Sequence, residues 1–363
     1  MKSIGIRFSN KRSRAFTNEL KSRVDQYFEE NGLSKKGTGE VAVKTVVMLS
    51  LVFVPYGLLM SGQFSLGWMW LFSFLTGAGI AGFGFGVMHD ALHGAYSSHP
   101  RLNAAMGYVL DLLGGSSHLW KLRHNQMHHT FTNIHGADVD LEASTLLRLT
   151  PGAKHYWFHR YQQFYAFAAY SLASLQWIFV KDYKNLSRAE MGPYRQITHS
   201  RRRVAFEIGM KALYYVNFIL LPLLILDITI WQFLVGFLTL HLTTGTIMTL
   251  VFQLAHVVEG PEHFVSEGDE VMAESWMVHQ LQTTANFACT NRWLTWSLGC
   301  LNFQVEHHLF PRICSVHYPA LRPIVKEVAQ KHGYPYHEQP TLLTAIGSHY
   351  RTLKRLGAGA VRL

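Results

Sequence analysis

Four long apolar runs alternate with polar stretches along the chain. The runs cover residues 41–60, 67–88, 204–226 and 230–254. Each approaches or exceeds the length of about 20 apolar residues that a helix needs to cross the hydrocarbon core of a bilayer. The pattern predicts an all-α integral membrane protein with four spanning helices.

The distribution of charge predicts how these helices are oriented. Lys and Arg are concentrated before the first run, between the second and third runs, and after the fourth run, whereas the turns 61–66 and 227–229 contain none. Positive charge accumulates in cytoplasmic loops. We therefore expect both termini and the loop 89–203 in the cytoplasm, as a helical cap on one side of the four spans.

Two shorter apolar stretches, 104–113 and 164–180, are predicted to lie at the membrane interface. A fifth crossing at 164–180 would place the histidines after the fourth run on the opposite side from those before it. A separate helical pattern over residues 15–30 predicts an amphipathic helix. We expect it to lie on the membrane surface, with a solvent-exposed helix as the alternative.

These patterns divide the chain into a basic N-terminal segment (1–40), a membrane domain (41–323) and a basic C-terminal tail (324–363). The net charge of +10 does not indicate nucleic-acid binding, because the cations flank apolar runs. The three cysteines form no CxxC pair, which favours reduced thiols in a cytosolic environment. We recognise no secretory signal peptide.

Eight of the 21 histidines form a pattern near the ends of the apolar runs. Seven lie in the clusters HDALH, HNQMHH and QVEHH, and the eighth follows the fourth run; they are His89, His93, His124, His128, His129, His307, His308 and His256. Imidazole is the commonest nitrogen ligand for transition metals. Because eight imidazoles exceed the needs of one zinc ion, the pattern predicts a site for two metal ions.

The spacing within the clusters supports this interpretation. Histidines four apart lie on one face of an α-helix. His129 points about 100° away from His128 around such a helix, so the second cluster offers ligands in two directions. In the third cluster, Gln304 and His308 are four apart. Ligand chemistry alone leaves iron, copper and zinc open.

Three segments closely resemble the membrane fatty acid desaturases. They are HNQMHHTFTN (124–133), TTANF (283–287) and LNFQVEHHLFP (301–311), and the resemblance extends over about residues 41–323. Many desaturases have histidine at the position of Gln304. Glutamine at this position resembles the front-end branch of the family. That branch acts between an existing double bond and the carboxyl end of the chain.

The resemblance implies O2-dependent formation of a cis double bond in a fatty acyl chain at a di-iron centre. It implies two ligand sets. One iron is expected at His89, His129, His256 and His308, with Gln304 at or near it, and the other at His93, His124, His128 and His307. Related stearoyl-type enzymes have asparagine where this chain has Phe252.

The resemblance also implies the partners. The substrate is a fatty acyl chain, carried either by coenzyme A or by a membrane lipid. The chain lacks the His-Pro-Gly-Gly haem motif of fused cytochrome domains. Electrons are therefore expected from a separate carrier, such as a ferredoxin or a free cytochrome. A bacterial inner membrane is the expected location.

An apolar acyl chain is expected among the spans, and candidates for the channel wall are His241, Gly245 and Thr249. His241 is either functional or a partner in an interhelical hydrogen bond. Carboxylates should orient the imidazole rings. Those within reach in the sequence are Asp90, Asp138, Asp140, Glu259 and Glu306.

Two alternatives remain open on the sequence. Similar histidine clusters serve hydroxylases, ketolases and sphingolipid desaturases on the same scaffold. A metal transporter is an alternative from another class, but it would need ligands in the middle of the membrane. Here the clusters lie at helix ends, and only His241 lies deep within a predicted span.

Overall fold

The computed structural model describes residues 2–3, 5–141, 145–265 and 271–359. Within them, four helices are long and apolar enough to cross a membrane, which confirms the predicted number. Spans 1 to 4 are Gly39–Met60, Leu66–Leu92, Arg201–Ile225 and Ile230–His256. Their bounds differ by a few residues from the predicted runs.

Two of the spans contain a π turn. Span 2 comprises helix Leu66–Phe83, the π turn Gly84–Met88 and helix His89–Leu92. Span 3 comprises helix Arg201–Tyr215, the π turn Val216–Leu220 and helix Leu221–Ile225. Such turns occur frequently at functional sites, and the π turn of span 2 directly precedes His89.

The outer surface of the spans is apolar. Val46, Phe53, Trp68, Trp231 and Leu224 are among the large side chains that are 42–75% exposed. Contiguous apolar surface of this kind is rare on soluble monomers. The surface therefore suits contact with lipid.

Small residues allow span 2 to pack closely between spans 1 and 4. A Cβ atom added at Gly79 would lie 2.7 Å from the backbone of Leu51 in span 1, and one at Gly77 would lie 2.4 Å from the carbonyl oxygen of Leu240 in span 4. Glycine at these positions permits backbone approach. The glycines thereby bring the ends of spans 2 and 4 side by side.

Shorter helices, including 3-10 and π turns, build the cap. Their bounds are Arg14–Glu30, Pro100–Leu112, Ser117–Trp120, Lys121–His128, Trp157–Tyr161, Gln162–Ser171, Ala173–Gln176, Trp177–Lys181, Asp182–Ser187, Trp276–Thr283, Arg292–Ser297, Gln304–Leu309, Ser315–His317, Tyr318–Lys331 and Leu342–Gly357. Four pairs of very short strands complete it: Lys2–Ser3 with Tyr194–Arg195, Arg7–Phe8 with Val271–Met272, Ile134–His135 with Phe264–Val265, and Ala285–Phe287 with His337–Gln339.

The two stretches predicted to lie at the interface form no spanning helix. Helix Pro100–Leu112 is short, and the helical region from 162 to 187 is interrupted at Leu172. The segments Gln162–Ser171 and Ala173–Gln176 pack along span 4. Their depth relative to the membrane surface stays a prediction.

The amphipathic helix is confirmed, but its predicted place on the membrane surface is wrong. Helix Arg14–Glu30 packs against helix Tyr318–Lys331. Its apolar side chains Phe16, Leu20 and Val24 are at most 1% exposed. The face that a membrane would need is therefore used inside the protein. Periodicity predicts an apolar face without saying what covers it.

The segment 324–363, predicted as a basic tail, contributes to the cap through two helices. Helix Tyr318–Lys331 buries Leu321 and Val325, and helix Leu342–Gly357 buries Leu353. The second helix contacts the segment Gln162–Ser171. The division of the chain into three segments stays a prediction.

Candidate metal centre

All eight histidines of the sequence pattern converge where spans 2 and 4 enter the cap. They form two groups whose candidate ligand atoms lie within 4.8 Å of one another, the first with five members and the second with three: His89, His93, His124, His129 and His307; and His128, His256 and His308. We call these the five-histidine and three-histidine groups. No other such group of His, Cys, Asp or Glu occurs among the described residues.

Hydrogen bonds leave one nitrogen of each ring free in the three-histidine group. His128 Nδ1–H donates to Asp138 Oδ2 at 2.9 Å, His256 Nδ1–H to the Thr283 carbonyl at 3.2 Å, and His308 Nδ1–H to Gln280 Oε1 at 2.8 Å. In a neutral imidazole, donation from Nδ1 leaves a lone pair on Nε2.

The three Nε2 atoms are buried and have no hydrogen-bond partner in the described part of the chain. A buried acceptor without a partner is costly. In known metal sites, a histidine commonly binds the metal through one ring nitrogen and donates the N–H of the other to a carboxylate or carbonyl, and these three rings make the same donation. The donor set therefore fits a transition metal.

The five-histidine group is more compact. His124 Nε2 lies 3.2 Å from both His89 Nε2 and His129 Nε2. His124 Nδ1 lies 3.5 Å from Asp140, and His307 Nδ1–H donates to the Tyr318 hydroxyl at 3.3 Å. Several nitrogens thus face a common centre, as expected for ligands of one ion.

The two groups differ from the two ligand sets that the resemblance implied. Residues Lys121–His128 form a π turn, and the His129 amide donates to the His124 carbonyl, five residues back, at 3.0 Å. This wider turn brings His129 nearer to His124 than a regular α-helix would. The His128 ring stacks on His124 but also contacts His256 and His308. In span 2, His89 lies with His93 and not with His256.

Burial keeps most of these rings neutral and able to bind a metal. It lowers the pKa of His93, His129, His307 and His308 well below the ordinary value, and that of His124 to about 4. For His128, burial is the largest effect and acts in the same direction, but the charge and hydrogen bond of Asp138 together with the charge of Asp140 outweigh it, and the pKa is raised.

Two of the five candidate carboxylates contact the metal-site rings, and three do not. Asp138 and Asp140 accept from His128 and His124 as described above. Asp90 instead accepts from Ser315 and Cys314. Glu259 pairs with Arg351, and Glu306 accepts from Asn286 and Tyr336. Proximity in sequence to a ligand was therefore an incomplete guide.

Two supporting residues were not predicted from the sequence. Gln280 accepts from His308 and also from the Thr132 hydroxyl at 2.8 Å. It comes from an element distant in the chain, so no spacing rule connects it to His308. The Trp120 ring stacks on His124, with ring centroids 4.3 Å apart. Trp120 precedes His124 by four residues, a helical spacing that the sequence does show.

A cavity of about 200 Å³ opens beside the five-histidine group. We call it the acyl cavity, after the occupant that the family resemblance leads us to expect. Span 2, span 4 and the segment 173–181 form its walls, which include Met88, His89, Trp120, His124, Trp177, Gly245, Met248, Thr249, Gln253 and Gln304. Gly245 and Thr249 were predicted as channel residues.

Of its two predicted roles, His241 has the second, that of a partner in interhelical hydrogen bonds. Its Nδ1 lies 3.0 Å from the Ser174 hydroxyl, and its Nε2 lies 2.6 Å from the Tyr214 hydroxyl. It is absent from the lining of the acyl cavity. His241 therefore joins span 4 to span 3 and to the segment 173–176.

Gln304 lines the acyl cavity, at the start of the helix that carries His307 and His308. Its Nε2 donates to the Leu301 carbonyl at 2.7 Å. A ligand role for Gln304 stays a prediction. Phe252, one helical turn before His256, packs against the rings of His128 and His256.

A bundle of four helices able to span a membrane, with two adjoining groups of buried histidines at the helix ends, defines a membrane protein able to bind metal ions there. Comparison with known sequences specifies it further. The chain belongs to the fatty acid desaturase family, whose sequence model matches residues 64–340. The chain is thus an enzyme of fatty acid desaturation, and the predicted membership is confirmed.

Three relatives illustrate the similarity. An sn-1 linoleoyl-lipid 6-desaturase of Synechocystis sp. is 35% identical over 97% of this chain and 98% of its own length. A protein of the same name from Arthrospira platensis is 31% identical over 95% and 93%. An acyl-lipid (8-3)-desaturase of Physcomitrium patens is 30% identical over 100% of this chain and 76% of its own.

Proposed function

We propose that this enzyme inserts a cis double bond between an existing double bond and the carboxyl end of a fatty acyl chain carried by a membrane lipid. Two iron ions, O2 and two electrons from a separate carrier complete the reaction. The eight histidines of the two groups are the proposed ligands, with Gln304 beside them.

One observation carries the proposal: of two adjoining sets of buried imidazoles, the five-histidine group lines, through His89 and His124, a cavity that reaches between spans 2 and 4. Ring centroids of His129 and His308, one from each group, are 4.4 Å apart. Two ions held so closely could act on one reacting site. The nitrogen-rich donor set suits iron, and the family resemblance favours it over copper or zinc.

When bound, iron and O2 supply the oxidising power that removes one hydrogen from each of two adjacent methylenes. Two electrons and two further protons complete the reduction of O2 to two waters. The chain's own residues hold and orient the metals, place the acyl chain and exclude water. Met88, Trp177 and Met248 give the cavity apolar surface for that chain.

The regiochemistry and the lipid carrier rest on the relatives. The names of the cyanobacterial relatives give 6-desaturation of an sn-1 linoleoyl lipid. Gln304 in the third cluster supports the same front-end assignment. We further propose that the metal centre faces the cytoplasm of a bacterial inner membrane, because the basic loops share its side.

Expression in a host that lacks such a desaturase tests the function. Supplied with linoleoyl lipid, cells should accumulate an acyl chain with a new double bond on the carboxyl side, located by gas chromatography with double-bond derivatisation. Purified protein should contain two iron ions per chain. His128→Ala and His308→Ala should abolish the product and lower the iron content.

His99→Ala is the matched control, because His99 is exposed and outside both groups. It should retain product and iron. One metal ion per chain, or activity supported by zinc without O2, would refute the di-iron assignment. A hydroxylated or keto product would favour the alternative enzymes on this scaffold. Efficient conversion of a saturated chain would refute the front-end assignment.

A further inference from the structure

A second cavity, of about 380 Å³, adjoins the acyl cavity. Arg123, Gln176 and Lys181 line both. Beyond them the walls become polar and basic, with Lys184, Arg188, Asn185, Glu190 and Arg195 among the lining residues. We call this space the cationic cavity. A molecule whose chain lies beside the histidines could extend its other end into it.

Among the described residues at the boundary of the two cavities, positive charge exceeds negative charge. The Arg123 guanidinium pairs with Asp140, and Lys181 Nζ lies 3.7 Å from the same carboxylate. The side chains of Arg123 and Lys181 are only 8% and 18% exposed. Two largely buried cations thus share one carboxylate, which leaves a net positive charge that is costly away from water.

Arg123 also has an unused donor. Its Nε–H is buried without a hydrogen-bond partner among the described residues, although the residue is only 7% exposed. Buried donors without partners are rare in native proteins. This guanidinium is therefore suited to an anion that enters from the cavity.

Further out, the described lining residues include more cations than carboxylates. Arg195 pairs with Glu190 at 3.4 Å. Lys184 and Arg188 have no carboxylate within ion-pair distance in the described part of the chain. Arginine binds phosphate through paired N–H groups, and lysine binds it as a point charge.

We propose that the cationic cavity binds a phosphate group in the head of the acyl carrier and thereby selects phosphate-bearing carriers over uncharged ones. This proposal rests on the proposed function, because it places the acyl chain beside the histidines. A double bond formed near the carboxyl end requires the head group to lie close to the metal centre. The cationic cavity is in that position.

Two carriers have this chemistry, a phospholipid and an acyl-coenzyme A. The same linoleoyl chain should therefore be offered to purified enzyme as phosphatidylglycerol, as uncharged diacylglycerol and as the coenzyme A thioester. The test variant is Lys184→Gln with Arg188→Gln. Both residues are exposed and distant in the chain from the histidines. Lys21→Gln with Arg101→Gln removes equal charge from exposed positions outside the cavity.

The test variant should raise KM about tenfold for a phosphate-bearing carrier, equivalent to losing one charge-assisted hydrogen bond. Its kcat and its KM for diacylglycerol should stay unchanged, and the control variant should match the wild type. The carrier whose KM responds is the source of the phosphate. Equal KM changes for charged and uncharged carriers, or no change for either phosphate carrier, would overturn the proposal.

A binding measurement separates this proposal from the proposed function. Fluorescence anisotropy of labelled phosphatidylglycerol and labelled diacylglycerol in detergent requires no turnover. The wild-type protein should bind the phosphate lipid about tenfold more tightly, and the test variant should lose this preference. Equal binding by the wild type would overturn the cationic cavity as a phosphate site, whatever the desaturation assay shows. Preference for phosphate without any desaturation would leave the cavity assigned and refute the proposed reaction.

Discussion

At the scale of single residues, hydrogen bonds decide which nitrogen of each imidazole is available. In the three-histidine group, a carboxylate, a carbonyl and an amide oxygen each occupy one Nδ1–H. The partners therefore fix both the tautomer and the direction of the free lone pair. Loss of such a partner should weaken metal binding without removing a ligand.

Asp138→Asn tests this directly. An amide in place of the carboxylate weakens the acceptor for His128, and metal affinity should fall about 10- to 100-fold. Metal content after dialysis against graded chelator measures it. Glu259→Gln is the control, because Glu259 bonds to Arg351 at the surface. Equal metal loss in both variants would show that Asp138 has no specific effect.

Gln304→Leu separates a role beside the metals from mere packing. Leucine keeps similar bulk but removes the carbonyl oxygen and the amide. Activity should fall sharply, while metal content should drop less than in His308→Ala. Elemental analysis alongside the lipid assay measures both. Full activity in the leucine variant would exclude any role for Gln304 at the site.

Lys181 gives phosphate binding a predicted pH dependence. Burial, with a smaller effect of Arg123, lowers the pKa of Lys181 to about 8, although Asp140 and Asp182 act in the opposite direction. Lys181 is charged below that pH and neutral above it, so the KM for a phosphate-bearing carrier should rise as pH rises through about 8. Lys181→Arg should remove this rise. A rise of equal size with diacylglycerol would contradict the explanation.

At the scale of elements, one π turn carries all three ligands of the second cluster. It brings His129 to His124 in the five-histidine group, whereas a regular α-helix would point His129 about 140° away from His124. The His128 ring stacks on His124 and also contacts His256 and His308, with which it forms the other group. The grouping of His129 thus depends on local backbone geometry as well as on residue spacing.

The His241 contacts join three helical elements, and their loss should affect stability more than metal binding. His241→Leu leaves the Tyr214 hydroxyl and one Ser174 interaction unsatisfied, which should cost about 2 kcal/mol. The Tm in detergent should fall while metal content is retained. Leu238→Ala changes an exposed side chain of the same span and should have little effect. Metal loss with an unchanged Tm would contradict this role.

At the scale of the whole molecule, the four spans must gather histidines from both halves of the chain on one side of the membrane. Spans 3 and 4 are the two crossings between His89 and His256, so both histidines lie on the same side. A third crossing at 164–180 would place them on opposite sides. Reporter fusions after Gly62 and after Asp227 should therefore read as external, and a fusion after Tyr183 as cytoplasmic. An external signal after Tyr183 would refute this topology.

The four spans and the set of clustered histidines could be predicted from the sequence alone. Apolar length and imidazole clustering are local properties, so they can be recognised along the chain. Which histidines form each group emerges only from the three-dimensional structure, because it depends on the approach of spans 2 and 4 to helix Gln304–Leu309 and, for His129, on a π turn. The tertiary structure also decided that Phe16 and Leu20 face the protein and that Gln280 supports His308, since both facts depend on contacts between segments distant in the chain.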